Sequence, residues 1–335
     1  MGKVLLLRHC LRSTPDQVDL LFDNDGTLYN LSDYYDLPDW NTPLFWCTQA
    51  GVNFMEQTGE YLARTSLDDD DSIRIISDAT QRDADTALAI LQGINRIRNS
   101  TMLVQPVVRT VEYRPELFNP IEQGPCSIGY TDEEIYDSMQ HQLFKVPPPA
   151  DFQYVVQHIR DNVPSLAPLL NYTNFTLSKQ KLKLQGAIVL VHLLAQQVFY
   201  ARASGIPFMM NVSDNNLYDW LVWVQWRRKI ENWNNAKAAT HGALLIRDML
   251  QQLSNNNNNK GTTTIYIGHD MEIDAVATLL QLDWTLPDYG PLSATPPGSG
   301  LYLTMDDQRV VRFQYLYPQY RWNDTSILPH LQLEW

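Results

Sequence analysis

The sequence predicts an α/β protein in which a mostly parallel sheet is flanked by helices and interrupted by an α-helical insertion. Strand and helix signals alternate at both ends of the 335-residue chain, whereas its middle consists of long helix-like segments with few strand signals. Alternation of this kind indicates an open sheet covered by helices. We therefore expect an α/β catalytic domain formed by 1–120 and 251–335, with 121–250 as a mainly α-helical subdomain.

The individual elements are predicted from apolar runs, helical periodicity and capping residues. Continuous apolar or β-branched runs indicate buried strands, and Thr48 is suited to cap the first helix. The elements expected in chain order are a strand over 4–7, a helix over 50–62, a strand over 73–76, a helix through 97, helices over 181–202 and 216–232, a strand over 262–267, a helix over 272–282, and strands from 301 and over 310–317.

Charged residues follow three of these strands at the point where each strand ends. Arg8-His9 follows the first, Ser77-Asp78 leads from the second to Arg82, and His269-Asp270 follows the third. In open α/β sheets, ligands bind beyond the carboxyl ends of the strands. The sequence therefore predicts a site that combines these residues.

Their chemistry suits the transfer of a phosphoryl group. The guanidinium groups of Arg8, Arg12 and Arg82 match phosphate oxygens, and an imidazole held among them can attack phosphorus. Asp270 can protonate the leaving oxygen and later activate water. Because arginines supply the stabilising charge, we expect neither a metal nor another cofactor.

Composition restricts the partners. The chain has 25 Lys and Arg against 38 Asp and Glu, a net charge of −13. This charge argues against broad contact with nucleic acid or anionic lipid, and no apolar run approaches the ~18 residues of a membrane span. We expect a small phosphomonoester as the substrate, with no nucleic-acid or membrane partner.

Six Asn-x-Ser/Thr sequons favour the secretory pathway. The N-terminal apolar run is too short for a signal peptide, so we expect a mature domain whose leader has been removed. Its compartment would be secreted, lysosomal or periplasm-like, with N-glycans possible at Asn30, Asn99, Asn171, Asn174, Asn211 and Asn323.

Cysteine use is sparse. With only Cys10, Cys47 and Cys126, the chain can form at most one disulfide, and its pairing is open. No two of them lie close enough in sequence for a typical zinc site.

The segment from Leu5 to Arg12, which contains Arg8-His9-Cys10-Leu-Arg12, resembles the Arg-His-Gly-x-Arg signature of the histidine acid phosphatases. The resemblance continues through most of the chain, and the bacterial-type phytases and glucose-1-phosphatases are the most similar members. Its other segments are Cys47–Gly51, Ile75–Arg82, Leu117–Pro120, Gly268–Asp270, Asp283–Pro287 and Thr295–Gly300.

This resemblance implies a phosphoglycerate-mutase-like fold and hydrolysis at acid pH through a phosphohistidine. His9 would be the nucleophile and Asp270 the general acid. Arg8, Arg12, Arg82 and His269 would bind the phosphate.

Departures from the family pattern bear on the substrate. Cys10 replaces the usual Gly, and we expect its side chain to narrow the phosphate pocket unless it points into the core or joins Cys47 in a disulfide. Pro15 and Asp16 stand about where phytases place Thr and Lys. These differences favour a small sugar phosphate over phytate, which remains the alternative.

Two rival interpretations stay open. Asp23-Asn24-Asp25-Gly26-Thr27 matches the Asp-x-Asp-Gly-Thr motif of Mg²⁺-dependent haloacid-dehalogenase-type phosphatases, with Asp23 as nucleophile, although a suitable buried strand before it is not apparent. The chain could also be a catalytically weak or inactive relative that binds phosphorylated ligands.

Overall fold

A seven-stranded mixed sheet forms the centre of the molecule in the computed structural model. The model describes residues 2–20, 27–68, 72–101, 111–120, 129–149, 151–171, 175–208, 210, 212–255, 262–286, 289, 292–320 and 327–334. In chain order the sheet strands are β1 Gly2–Arg8, β4 Ser72–Ser77, β5 Val111–Tyr113, β8 Thr262–Gly268, β9 Gly300–Met305, β10 Val311–Tyr320 and β11 Ile327–Glu334. Two short hairpins lie outside it, β2 Gln17–Asp19 with β3 Leu28–Asn30 and β6 Thr176–Ser178 with β7 Lys183–Gln185.

The strand order is β11-β10-β9-β1-β8-β4-β5. The four neighbouring strands β1, β8, β4 and β5 are parallel to one another. Strands β9, β10 and β11 add an antiparallel edge on the other side of β1. Every residue of β1 is buried, as expected for a strand covered on both faces. The predicted α/β class is confirmed, with the antiparallel strands confined to one side of β1.

Helices cover the sheet and form the intervening segment. They are α1 Gln49–Thr65, α2 Gln81–Thr101, α3 Pro115–Phe118, α4 Asp132–Lys145, α5 Phe152–Asn162, α6 Ala187–Ala203, α7 Asp214–Asn232, α8 Asn235–Asn255 and α9 Asp270–Leu280. The Thr48 hydroxyl caps α1 by accepting the Gly51 amide hydrogen at 3.1 Å, as predicted. Helix α8 packs against β1 and α9. The division into two domains stays a prediction.

The helix expected over 181–202 begins later than predicted. Lys183–Gln185 forms β7, and Gly186 adopts a φ of 100° before α6 starts at Ala187. The tryptophans of α7 are core residues, because Trp220, Trp223 and Trp226 are at most 2% exposed.

Among the described residues, no helix is both long and apolar enough to cross a membrane. The sequon residues Asn30 and Asn171 are exposed. Asn174, Asn211 and Asn323, like Cys126, lie outside the described residues, as does the side chain of Asn99.

Candidate active site

One cleft of about 330 Å³ at the carboxyl edge of the parallel strands brings the predicted site residues together. It is lined by all six of them: Arg8, His9, Arg12, Arg82, His269 and Asp270. They reach it from the ends of β1 and β8 and from the first turns of α2 and α9. The juxtaposition follows from the pairing of β8 with both β1 and β4.

His9 is held as a neutral imidazole with one ring nitrogen available. It is 3% exposed, and its Nδ1 lies 2.9 Å from the carbonyl oxygen of Cys10. Because a carbonyl only accepts, Nδ1 carries the proton and Nε2 keeps its lone pair. Burial, and then the charges of His269 and Arg8, hold the pKa of His9 well below its usual value. The lone pair that a nucleophile needs is therefore retained to lower pH than in an ordinary histidine.

Three arginines beside His9 have unused hydrogen-bonding capacity. The Nε atoms of Arg8, Arg12 and Arg82 are buried, and none has a hydrogen-bond partner among the described residues. Leaving a buried charged donor unpaired costs free energy, so these donors are available to a ligand or to water in the cleft. The chemistry of the set fits a phosphoryl group.

The loop over 295–300 supports the end of β1. Arg8 donates its backbone amide hydrogen to the carbonyl of Ser299 at 2.7 Å, and its Nη1 donates to the carbonyl of Thr295. Gly298 donates to the carbonyl of His9 at 3.1 Å with a φ of 78°. A Cβ at Gly298 would lie 2.4 Å from the ring of Phe54, so only glycine fits here.

Asp270, the first residue of α9, faces the arginines. Its Oδ2 lies 3.1 Å from Nη2 of Arg8. Burial alone would raise the pKa of Asp270, but Arg8, and then Arg228, hold it well below its usual range. Glu272 is buried in the first turn of α9 and accepts the backbone amide hydrogen of His269 at 2.7 Å.

The expectation that Cys10 narrows the pocket is wrong, and the alternative disulfide is found instead. Cys10 is fully buried and bonded to Cys47, with the two Cα atoms 5.8 Å apart. The bond joins the segment after His9 to the start of α1. Neither Cys10 nor Asp16 is among the residues that line the cleft.

The cleft also contains residues that sequence reasoning missed: Lys183, His192, Gln196, Arg227, Arg228, Glu231, Asn232, Lys237 and Met271. Among them, His192 is half-buried and lines the cleft. One signal was available, because Arg227-Arg228-Lys229 places three consecutive cations on a helix otherwise rich in tryptophan. Seven cationic side chains face two acidic ones in the cleft, despite the net charge of −13.

The rival Asp-x-Asp-Gly-Thr motif has an unsuitable context. Residues 21–26 lie outside the described residues, but the strand before them is β2, part of a two-stranded hairpin outside the central sheet. The buried sheet strand that the motif requires is therefore not formed by β2.

Solved structures with this fold share most of their length with the chain. A phytase of Hafnia alvei matches with a TM-score of 0.73 and 18% identity, over 96% of this chain and 85% of that one. A phytase of Klebsiella sp. ASR1 matches with a TM-score of 0.69 and 14% identity, over 99% and 89%. A multiple inositol polyphosphate phosphatase of Bifidobacterium longum, in complex with inositol hexasulfate, matches with a TM-score of 0.60 and 12% identity, over 94% and 85%.

No protein-family model and no curated protein matches the sequence. At the identities of the solved structures, the similarity establishes the fold. The chain therefore has the fold of the histidine acid phosphatases, which its Arg8-His9 and His269-Asp270 segments resemble.

Proposed function

We propose that the protein hydrolyses phosphomonoesters through a phosphohistidine at His9. The observation that carries this proposal is a neutral, buried imidazole beside three guanidinium groups with unpaired donors. Nε2 of His9 attacks phosphorus while the bond from phosphorus to the leaving oxygen breaks, and Asp270 donates a proton to that oxygen. Water then attacks the phosphohistidine, Asp270 takes its proton, and inorganic phosphate leaves.

A bound phosphoryl group would help Asp270 to act as an acid. Arg8 and Arg228 lower the pKa of Asp270. A phosphoryl dianion close to the same arginines offsets their positive charge and raises that pKa toward the range of a proton donor.

The test compares His9→Ala with wild type on p-nitrophenyl phosphate from about pH 4 to about pH 8, with and without chelator. We expect loss of turnover in His9→Ala and full activity in the control His141→Ala, whose histidine lies exposed on α4. Loss of Mg²⁺-dependent turnover in Asp23→Asn, with His9→Ala still active, would support the rival motif. A wild type that binds inorganic phosphate without turnover would be a non-catalytic relative.

A second candidate concerns the substrate. A cavity of about 480 Å³ adjoins the cleft and shares Lys183, Lys237, His269 and Met271 with it. Lys237 is 8% exposed, and the charge of the neighbouring Glu231 acts on its amine without an ion pair among the described residues. Together with Lys183 and Arg227, this amine offers binding energy to a second anionic group. We therefore propose that the kcat/KM for substrates with several phosphates, such as inositol hexakisphosphate, is at least as high as that for compact sugar phosphates.

The two substrate classes are compared through kcat/KM for inositol hexakisphosphate and glucose 1-phosphate. A preference for the former supports the extended anion site. A preference of tenfold or more for glucose 1-phosphate, about 1.4 kcal/mol in transition-state binding, supports the compact substrate instead.

The Cys10–Cys47 disulfide bears on the compartment. Disulfides persist in oxidising environments and are rare in the cytosol. We propose that the protein works in a secreted or periplasm-like compartment.

A further inference from the structure

Asp83 is a buried carboxylate immediately after Arg82 in the first turn of α2. It is 0% exposed, its Oδ2 accepts a hydrogen bond from the hydroxyl of Thr80, and its Oδ1 has no hydrogen-bond partner among the described residues. A buried carboxylate is costly unless a charged group compensates it. The imidazole of His269 offers that compensation, because its Nε2 lies 3.6 Å from Oδ2 of Asp83.

A second carboxylate, that of Asp78, lies beside the same ring nitrogen of His269. Oδ2 of Asp78 lies 3.3 Å from Nε2, whereas Nη2 of Arg82 lies 3.4 Å from Nδ1. Titratable and charged groups from several elements surround the ring: His9 after β1, Asp78 after β4, Arg82 and Asp83 on α2, Lys181 and Lys183 at β7, Lys237 and His241 on α8, and Asp270 and Glu272 on α9.

These charges outweigh the effect of burial on the ring. Burial lowers the pKa of His269, but Asp83, Asp78 and Glu272 raise it, and the net shift is upward from 6.5. Burial in turn raises the pKa of Asp83 to about 6, against the charge of His269. Between acid and neutral pH, the imidazolium and the buried carboxylate therefore stabilise one another.

We propose that Asp83 is a positioning residue that holds His269 as an imidazolium, so that the ring can stabilise the phosphoryl group that His9 attacks. The inference rests on the proposed function. Asp83 acts through His269, since Asp83 does not line the cleft. Burial and the charge of Arg82 both disfavour the cationic ring. The carboxylate of Asp83 opposes them and so extends the pH range in which His269 is cationic.

A divalent cation is the rival occupant of this cluster. Ligand atoms of Asp78, Asp83 and His269 lie within 4.8 Å of one another. The Arg82 guanidinium lies 3.4 Å from the ring, and its charge opposes a metal ion there. The experiment therefore includes chelator and added Zn²⁺, and chelator-sensitive activity would overturn the positioning role in favour of a metal site.

The variant Asp83→Asn conserves size and an acceptor for Thr80, and Asp85→Asn makes the same charge change elsewhere on α2. We expect kcat/KM of Asp83→Asn on p-nitrophenyl phosphate to approach wild type near pH 4.5 and to fall about tenfold or more below it near pH 7. The inhibition constant of inorganic phosphate rises in parallel, and Asp85→Asn follows wild type. A deficit of Asp83→Asn that is the same at every pH would overturn the proposal.

Histidine NMR tests the inference without turnover. With ¹³C-labelled histidine and His269→Gln for assignment, we expect the pKa of His269 to lie above 6.5 in wild type and in Asp85→Asn, and below it in Asp83→Asn. A value below 6.5 in wild type overturns the proposal even if Asp83→Asn does not fold. If wild type hydrolyses no phosphomonoester but shows this titration, the proposed function fails and the coupling of Asp83 to His269 stands.

Discussion

Arg8 and Asp270 form an ion pair across the carboxyl edge of the sheet, with Nη2 and Oδ2 3.1 Å apart. Arg8 ends β1, and Asp270 begins α9 directly after His269. The pair places Asp270, the proposed proton donor, next to Arg8, a residue proposed to bind the phosphate. In the proposed mechanism this pair links substrate binding to proton transfer, because a phosphoryl group would compete with Asp270 for the same guanidinium.

Asp270→Asn should slow sugar phosphates far more than p-nitrophenyl phosphate. An alkoxide needs a proton as it departs, whereas p-nitrophenolate leaves with little protonic assistance, and general acids contribute about 10²–10⁴-fold. We expect kcat/KM, which reports the transfer of the phosphoryl group to His9, to fall about 100-fold further for glucose 1-phosphate than for p-nitrophenyl phosphate. Equal losses on both substrates would assign Asp270 to phosphate binding or structure.

Cys10→Gly should reduce stability and leave the substrate ratio unchanged. The disulfide closes a sequence separation of 37 residues, and removing such a cross-link costs about 3–4 kcal/mol. Chemical denaturation should show a similar loss for Cys47→Ala and for reduced wild type. A shift of kcat/KM toward inositol hexakisphosphate in Cys10→Gly would show that this position shapes the cleft after all.

Lys237→Met should weaken binding of the polyphosphorylated substrate selectively. We expect about a tenfold rise in KM for inositol hexakisphosphate, with kcat/KM for p-nitrophenyl phosphate changed less than threefold, because one charge-assisted contact contributes about 1.5–3 kcal/mol. Lys145→Met, on the exposed surface of α4, is the control with the same charge change. Equal losses on both substrates would contradict a separate anion site.

The same lysine predicts a pH limit. Burial lowers the pKa of Lys237 to about 8. The amine is therefore charged below that pH and neutral above it, so any advantage of inositol hexakisphosphate over p-nitrophenyl phosphate should decline as the pH rises through about 8. The ratio of the two kcat/KM values measures this, and it should be independent of pH in Lys237→Met.

Glu272→Gln should change how stability depends on pH. Burial raises the pKa of Glu272 from 4.5 to about 7, so ionising it in the folded protein reduces stability as the pH rises across that interval. Glutamine retains an acceptor for the His269 amide hydrogen without that penalty. Relative to wild type, the variant should gain about 2–3 kcal/mol in free energy of unfolding between pH 4.5 and pH 7.

Glu134→Gln is a matched control for this effect. Glu134 accepts the backbone amide hydrogen of Thr131 at the exposed start of α4, and that hydrogen bond lowers its pKa. Its variant should show no comparable gain with rising pH. Parallel stability curves for wild type and Glu272→Gln would contradict the raised pKa.

Much of the sheet was predictable because its central strands are continuous apolar runs. β1, β4 and β8 were expected within one or two residues at each end. The three-residue strands β2, β3, β5, β6 and β7 carry too little pattern to be recognised. β11 contains Pro329, a residue that weakens any strand prediction.

The sequence alone determined the residues at the ends of the parallel strands, because strand direction places those ends on one edge of the sheet. Arg8, His9, Arg82, His269 and Asp270 follow from that rule together with the family resemblance. What only the tertiary structure decided is what surrounds them. Helical periodicity does not show which cations of α7 and α8 turn toward the cleft, or that Cys10 pairs with Cys47 across 37 residues. These arrangements depend on packing between segments distant in sequence, and so do the pKa values of His269 and Asp83.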